Sequence, residues 1–182
     1  MLAERGYNNV TIAEICDDAG VSQSTFYRRF GTKEGVVLAP IDERVRFIVR
    51  AVEAQPPGTK PAAMVLGAFA TMAATRDPAD FAGLKPIVVD EDPPAIRSHI
   101  NLRVADLESD VALLLAERYG YDQDDMVIQS CAGWIAATVR LGIRRVVELV
   151  GELDFFEELG PAISALANGL EYTLANHPTP HG

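Results

Sequence analysis

The sequence predicts an all-α protein, with an N-terminal helix-turn-helix domain over residues 1–38 and a helical domain over residues 39–182. Apolar residues recur three and four positions apart along most of the chain, which is the spacing of one helix face. No long alternation of apolar and polar residues indicates a β-strand. Glycine and proline interrupt the helical pattern at intervals, so we expect a series of separate helices.

The first predicted element is a short helix that begins with a capping box. Thr11 and Glu14 stand three residues apart, so the Thr11 hydroxyl can accept from the Glu14 amide while the Glu14 carboxylate reaches back. Ile12, Ile15 and Cys16 then lie on one apolar face. This pattern predicts a helix that packs against its neighbours through that face.

A second short helix follows a sharp turn. Gly20 permits the turn, and Ser22 is a fresh N-cap. Phe26 and Phe30, four residues apart, face the interior, and Thr32 caps a third helix. Two short helices around a glycine-containing turn form a helix-turn-helix.

The exposed side of the second helix determines what the motif can bind. Its side chains form hydrogen bonds and none is acidic; they are Ser22, Gln23, Ser24, Thr25, Tyr27 and Arg28. Arginine can bond guanine and glutamine can bond adenine, while tyrosine, threonine and lysine suit phosphates. The alternative is a solvated helix face on a plain bundle, which predicts mixed charges that include glutamate. The composition of this face favours DNA as the partner.

The charge of the whole chain argues in the opposite direction. The formal net charge is −10 and the isoelectric point is about 4.7, whereas phosphate contacts need lysine and arginine. Within residues 26–33, however, Arg28, Arg29 and Lys33 are charged and no acidic residue occurs. We therefore expect a small basic surface on an acidic protein, with weak non-specific binding to DNA.

The N-terminal motif resembles the TetR (tetracycline repressor-like) family signature over about residues 3–38. The matching segments are ERGY at 4–7, TIAEI at 11–15, AGVS at 19–22, TFY at 25–27, Phe30, and KE at 33–34. The resemblance implies a recognition helix over residues 22–29. It implies base contacts from Gln23, Ser24, Thr25 and Arg28, phosphate contacts from Thr11, Tyr27 and Lys33, and either role for Arg29.

The resemblance also implies a homodimer bound to double-stranded DNA. Two recognition helices would enter successive major grooves roughly 34–36 Å apart, on a pseudo-palindromic operator. The remainder of the chain resembles the family only in architecture, as a ligand-binding and dimerisation domain. Because such domains diverge greatly, the identity of a small-molecule effector does not follow from the resemblance.

Two features depart from the family pattern. The chain starts at Met1-Leu2-Ala3, which matches only the last turn of the family's first helix, so we expect this first helix to be truncated because the sequence is incomplete. Pro40 lies inside the third helix, predicted to run from Lys33 to about Ala54, and should kink it. The kink is either a hinge that transmits ligand binding or a bend accommodated by packing.

Long helices are predicted over residues 93–119 and 122–150, and a last helix ends near Asn176. Gly120 stops the first of these helices and Asp122 can cap the next. The 122–150 helix is apolar nearly all round, so a partner subunit is expected on one face. The side chains predicted to pair across the dimer axis include Val139, Ile143, Val146, Val147, Ile163, Leu166 and Leu170.

An effector pocket is expected among these central helices. Its predicted walls are large apolar side chains with one hydroxyl, namely Phe47, Met64, Phe69, Met72, Phe81, Leu107, Trp134 and Thr138. Each wall residue taken singly is better explained by core packing than by contact with a ligand. Possible polar anchors are His99, Asn101, Arg103 and Arg140, although His99 and Arg103 also suit a solvated pair. The walls favour a hydrophobic or amphipathic effector.

Composition limits the other possibilities. Hydrophobic residues make up 48% of the 182 residues, which suffices for a core, and no run of about 18 apolar residues predicts a membrane span. The N-terminus lacks a signal peptide, and Cys16 and Cys131 have no metal-ligand spacing. We therefore expect a cytoplasmic protein without a cofactor, a metal or membrane contact.

The function predicted is a ligand-responsive DNA-binding transcriptional regulator, acting as a repressor that a small molecule releases. An enzyme is the main rival class, but no catalytic constellation emerges and His177 and His181 stand in a proline-rich tail. The alternative is a helical protein-interaction module with a vestigial helix-turn-helix. Binding of the protein to its own upstream DNA separates these two functions.

Overall fold

Helices account for nearly all of the chain that the structure, a computed structural model, describes. It covers residues 1–74, 81, 83–148 and 155–177, without the side chains of residues 72, 73, 155 and 156. Within these ranges no strand occurs, so the predicted all-α fold is confirmed.

The N-terminal part contains four α-helices and one 3-10 turn. The turn, Tyr7–Asn9, follows the first helix. The α-helices in order are α1 (Leu2–Arg5), α2 (Ile12–Ala19), α3 (Gln23–Phe30) and α4 (Lys33–Glu53). The last of them continues through Pro40 and leaves the helix-turn-helix to enter the second domain.

In the described ranges, the C-terminal part adds four α-helices. They are α5 (Pro61–Ala74), α6 (Pro94–Tyr119), α7 (Met126–Glu148) and α8 (Phe155–Asn176). A π-helical turn, Pro86–Glu91, precedes α6, and its wide geometry is closed by the Asp92 amide, which donates to the Ile87 carbonyl over 3.1 Å. Asp92 itself has a φ of 41°, in the left-handed region.

The start of α7 differs from the sequence expectation. Asp125, rather than Asp122, caps the helix: its carboxylate accepts from the Val127 amide at 2.8 Å and the Ile128 amide at 3.4 Å. Asp122 instead accepts from the Asp124 amide within the preceding turn. The prediction of Gly120 as the stop of α6 is confirmed by its left-handed φ of 75°.

Two hydrophobic clusters hold the helices together. The larger one packs α5 to α8 around fully buried side chains such as Leu115, Ile128 and Leu170. The smaller one combines Tyr7 and Leu38 from the N-terminal part with Ile87, Ile96 and Val147 from the rest of the chain. The N-terminal segment is therefore packed against the second domain through Tyr7 and the first half of α4.

The predicted dimer face is partly wrong. Val139, Val147, Ile163 and Leu170 are buried within one chain, Val147 in the smaller cluster and the other three in the larger one. They are not available to a partner. Among the described side chains of α7 and α8, the large apolar ones that are exposed are Met126, Trp134, Leu141 and Tyr172.

By length and composition α7 could cross a membrane. Its apolar character has a simpler explanation, since Ile128, Cys131 and Ala132 are fully buried against other helices of the chain. A core helix needs apolar residues on several faces for the same reason as a membrane helix. One face of α7 thus belongs to the protein core, whereas Met126, Trp134 and Leu141 on the same helix are exposed.

Candidate nucleic-acid interface and effector cavities

The entry to the helix-turn-helix is fixed by short-range hydrogen bonds. The predicted capping box is confirmed: the Thr11 hydroxyl accepts from the Glu14 amide at 3.3 Å, and the Glu14 carboxylate accepts from the Thr11 amide at 2.8 Å. The Arg5 guanidinium also donates to Glu14 over 2.6 Å. These bonds, the backbone bond from Thr11 first and that from Arg5 second, lower the pKa of Glu14 to about 2.

The turn and the second helix follow the sequence pattern closely. Gly20 adopts a left-handed φ of 65°, and the Val21 amide donates back to the Cys16 carbonyl. Ser22 caps α3 by accepting from the Thr25 amide at 3.2 Å. The buried Phe26 ring contacts the Phe30 ring, with 5.7 Å between the centroids. The backbone of α3 is thus held from its first residue to its last turn.

The outer face of α3 presents the predicted DNA-contacting groups to solvent. Gln23, Ser24, Tyr27, Arg28 and Arg29 are exposed, together with Thr11 and Ser22 at the two caps, whereas Thr25 is half-buried. Three hydroxyls of the set already have partners, because those of Thr11 and Ser22 cap helices and that of Thr25 bonds to the Ser22 hydroxyl. Of the side chains predicted to contact bases, Gln23, Ser24 and Arg28 are therefore exposed, and the contact itself stays a prediction.

The Lys33 side chain bonds to the protein's own backbone, although the family resemblance implies that it contacts a DNA phosphate. Its ammonium donates to the carbonyls of Tyr7 and Val10, at 2.8 and 2.9 Å, and stands 4.0 Å from the centre of the Tyr7 ring. Two of its three protons therefore bind the helix-turn-helix to the preceding turn. A phosphate contact through the third proton stays a prediction.

Tyr7 is a structural residue that the sequence pattern did not single out. It is 4% exposed, and its amide donates to both oxygens of Glu91, at 3.1 and 3.0 Å. Its hydroxyl donates to Glu34. Burial, followed by the bond to Glu34, raises the pKa of Tyr7 well above its ordinary value. No local pattern could have revealed these contacts, since Tyr7 and Glu91 are 84 residues apart.

The contact with Tyr7 also alters the pKa of Glu34. Burial alone pushes it upward, but the hydrogen bond from Tyr7 and those from the first turn of α4 outweigh that effect and leave the pKa below its ordinary value. Glu34 therefore remains a carboxylate at neutral pH. Its charge is balanced locally by the N-terminus of α4, where the helix dipole favours an anion.

A first cavity, of about 310 Å³, lies among α4, α5, α6, α7 and α8. Four predicted wall residues line it: Met64, Phe69, Leu107 and Thr138. The remaining lining is mainly aliphatic, with Glu53, Asp110 and Glu117 as its acidic members. This volume and lining suit a small, largely apolar molecule.

Other predicted wall residues lie elsewhere. Trp134 is 48% exposed and lines neither this cavity nor the second one described below. The next residue on α7, Ile135, faces the cavity instead, because each step along a helix rotates the side chain by about 100°. Phe81 is buried in the smaller core cluster, and Phe47 is half-buried outside both cavities. The side chain of Met72 lies outside the described residues.

A second cavity, of about 440 Å³, opens between α4, α6 and α7. Three of the predicted polar anchors, Asn101, Arg103 and Arg140, line this second cavity rather than the first. His99 lines neither, and its Nε2 is buried without a hydrogen-bond partner among the described residues. The sequence predicted one pocket with mixed walls, whereas the structure separates an apolar cavity from a charged one.

Known proteins resemble the chain over both of its parts. Residues 1–39 match the model described as bacterial regulatory proteins of the tetR family. Residues 59–171 match the model described as the MftR C-terminal domain. A curated relative, the HTH-type transcriptional regulator TcmR of Streptomyces glaucescens, is 30% identical over 128 residues. That alignment covers 66% of the chain and 56% of the relative, so the chain spans about half the length of the relative that it matches.

Proposed function

This chain belongs to the TetR family of bacterial regulatory proteins, and we propose that it is a DNA-binding repressor which a hydrophobic or amphipathic small molecule releases from its operator. The family consists of transcription regulators rather than enzymes. The observation that carries the proposal is the outer face of α3, which is rigidly capped and exposes hydrogen-bonding side chains without a carboxylate.

The chemistry of that face suits the major groove of DNA. Arg28 offers a bidentate fork for guanine, and Gln23 offers the donor and acceptor pair that adenine requires. Tyr27 is 51% exposed, so its hydroxyl is free to meet a phosphate. In this proposal Arg28 and Gln23 select the sequence, and Tyr27, Thr11 and Lys33 fix the orientation on the duplex.

The first cavity supports the release of DNA by an effector. Helix α4 begins in the helix-turn-helix, where Val37 is buried, and then lines the cavity with Val45, Ile48 and Val49. A molecule that repositions the distal part of α4 therefore acts on the helix that carries the DNA-binding segment. Several kcal/mol of differential affinity are needed to shift such an equilibrium from mostly bound to mostly free, roughly 5 kcal/mol for a complete reversal.

We further propose a cytoplasmic homodimer. A single α3 of eight residues covers too little of a DNA site for high specificity, and a two-fold dimer doubles the contact. The exposed apolar side chains of α7, Trp134 and Leu141, support an interface on that helix. Tyr172 of α8 is exposed as well and extends the apolar surface available to a second copy.

Binding of the purified protein to the DNA upstream of its own gene tests the proposal. We expect a complex that weakens as salt rises, and an affinity roughly ten- to a hundredfold lower in Arg28→Ala. Lys60→Ala is the matched control, because it removes one positive charge from an exposed site far from α3 in the sequence. Failure of the wild-type protein to bind any promoter-region DNA would instead favour a protein-interaction module.

A further inference from the structure

The second cavity combines an apolar floor with an unusual concentration of arginine. Val45 from α4, Ile100 and Val104 from α6, and Ile143 from α7 form apolar parts of its wall. Six of the chain's 16 basic residues also line it, against five carboxylates, although the chain as a whole carries a charge of −10. The cavity is therefore the part of the C-terminal domain where positive charge gathers.

These arginines fall into two groups. Arg97, Arg103 and Arg144 form ion pairs with Asp92, Asp42 and Glu148, over 2.7, 3.2 and 2.9 Å. The second group consists of Arg46 and Arg50, one turn apart on α4, and Arg140 on α7. None of these three has an ion pair or a side-chain hydrogen bond within the described ranges of the chain.

The unpaired arginines matter because the three other arginines that line the cavity already have acidic partners. The three come from two helices that both line the cavity, and a guanidinium fork matches the geometry of an oxyanion such as a carboxylate. An anion that also carries an apolar body would contact the aliphatic floor at the same time. The volume of about 440 Å³ lies within the range of sites for drug-sized ligands.

We propose that the cavity between α4, α6 and α7 is a second ligand site, which binds an amphipathic organic anion. The acidic group of the ligand bonds to Arg46, Arg50 and Arg140, and its apolar body lies on Val45, Val104 and Ile143. The first cavity shares a wall with this site through Val45, Val49, Leu107 and Val139, but none of the described arginines lines the first cavity. The two sites therefore select different ligands, and the second does not depend on the proposed role in DNA binding.

Two fluorescent probes with nearly the same rings test this inference without DNA. Anilinonaphthalene sulfonate carries an acidic group, whereas N-phenylnaphthylamine is its uncharged counterpart. We expect the triple variant R46Q/R50Q/R140Q to bind the sulfonate at least about tenfold more weakly, since charge-assisted hydrogen bonds are lost. Binding of the uncharged probe should stay within about twofold. High salt should weaken only the sulfonate probe.

Two control variants locate the probe. Arg28→Gln removes an exposed arginine from α3 and should leave sulfonate binding unchanged. Ala68→Leu narrows the first cavity, which Ala68 lines, and should also leave it unchanged. Arg140→Gln alone, at an exposed and unpaired position, should preserve the helical circular dichroism and still lower sulfonate affinity.

Three outcomes would overturn the inference. The first is equal sulfonate affinity in the wild-type protein and the triple variant. The second is loss of sulfonate binding in Ala68→Leu but not in the triple variant, which would place the probe in the first cavity. The third is an equal fall in affinity for both probes in Arg140→Gln, because the arginine would then act on the shape of the floor and not on the anion.

Discussion

The helix-turn-helix and the C-terminal helices are held together in different ways. In the N-terminal segment, α2, α3 and α4 each begin at a hydroxyl cap, Thr11, Ser22 and Thr32, and few side chains of α2 and α3 are fully buried. In the C-terminal domain, α6 begins without a side-chain cap and is held by buried residues such as Leu107 and Leu115. In the N-terminal segment, short-range hydrogen bonds hold the small exposed surface of α3 in place. In the C-terminal domain, apolar burial tolerates substitutions that preserve side-chain volume.

The largest expected effect comes from removing core volume in the C-terminal domain. Leu115 is fully buried, so Leu115→Ala should lower the free energy of unfolding by about 2–5 kcal/mol. Leu102→Ala, on the same helix but 66% exposed, is the control and should change it by less than about 0.5 kcal/mol. Urea denaturation followed by circular dichroism measures both. A similar small effect in the two variants would contradict the role of burial in this domain.

Breaking the contact between the two regions should have a smaller effect. Glu91→Ala removes the carboxylate that accepts from the Tyr7 amide, at a cost of roughly 1–3 kcal/mol for the partly buried donor. Hydrogen exchange of the Tyr7 amide should accelerate at the same time. Asp90→Ala, at the exposed neighbouring carboxylate, should leave that exchange rate unchanged. Unaltered exchange in Glu91→Ala would show that the bond to Glu91 does not protect the Tyr7 amide.

Loss of a single cap should weaken the N-terminal segment by about 1 kcal/mol. Ser22→Ala removes the acceptor for the Thr25 amide at the start of α3. Ser24→Ala, two residues further along in the first turn of α3, is a matched control. The exposed Ser24 hydroxyl has no hydrogen bond among the described residues. Thermal unfolding of the two variants compares them. Equal melting temperatures would mean that burial, and not capping, holds α3 in place.

The smallest expected effect is a pH dependence that arises from Glu14. Its pKa falls from 4.5 to about 2 in the folded protein, chiefly through the bond from the Thr11 amide and then that from Arg5. A lowered pKa stabilises the folded state above the unfolded value, and this stabilisation is lost as pH falls from 4.5 through about 2. Carboxyl NMR titration should give the low pKa. Glu14→Gln should flatten the pH dependence of stability in this acidic range, and a Glu14 pKa near 4.5 would refute the explanation.

The contrast between the regions also explains which features the sequence could predict. The capping box, Gly20 and the Ser22 cap depend on residues a few positions apart, so their geometry was predictable from spacing. The side of α7 on which Trp134 lies could not be predicted. That helix is apolar on several faces, and the pattern does not say which of these faces other helices of the same chain cover. For the same reason Val139 and Leu170 were expected at a dimer interface and are buried within the chain.

Contacts between distant residues escaped prediction entirely. Lys33 matched a phosphate-contacting position, but its bonds to the carbonyls of Tyr7 and Val10 became evident only in the folded chain. The separation of the predicted pocket into an apolar and a charged cavity is similar, since it depends on the relative rotation of α4, α6 and α7. Periodicity within one helix carries no information about that rotation.

The number of residues in the π-helical turn Pro86–Glu91 affects the position of one contact residue, Glu91. A π turn spans one residue more than an α turn between its bonded groups, as in the bond from Asp92 to Ile87. Glu91 is the last residue of this turn, and both of its carboxylate oxygens accept from the Tyr7 amide, at 3.1 and 3.0 Å. An insertion or deletion within the turn would therefore displace the carboxylate that bonds to the N-terminal segment. The length of the turn is thus constrained by that segment, although the turn makes no contact with DNA in the proposed function.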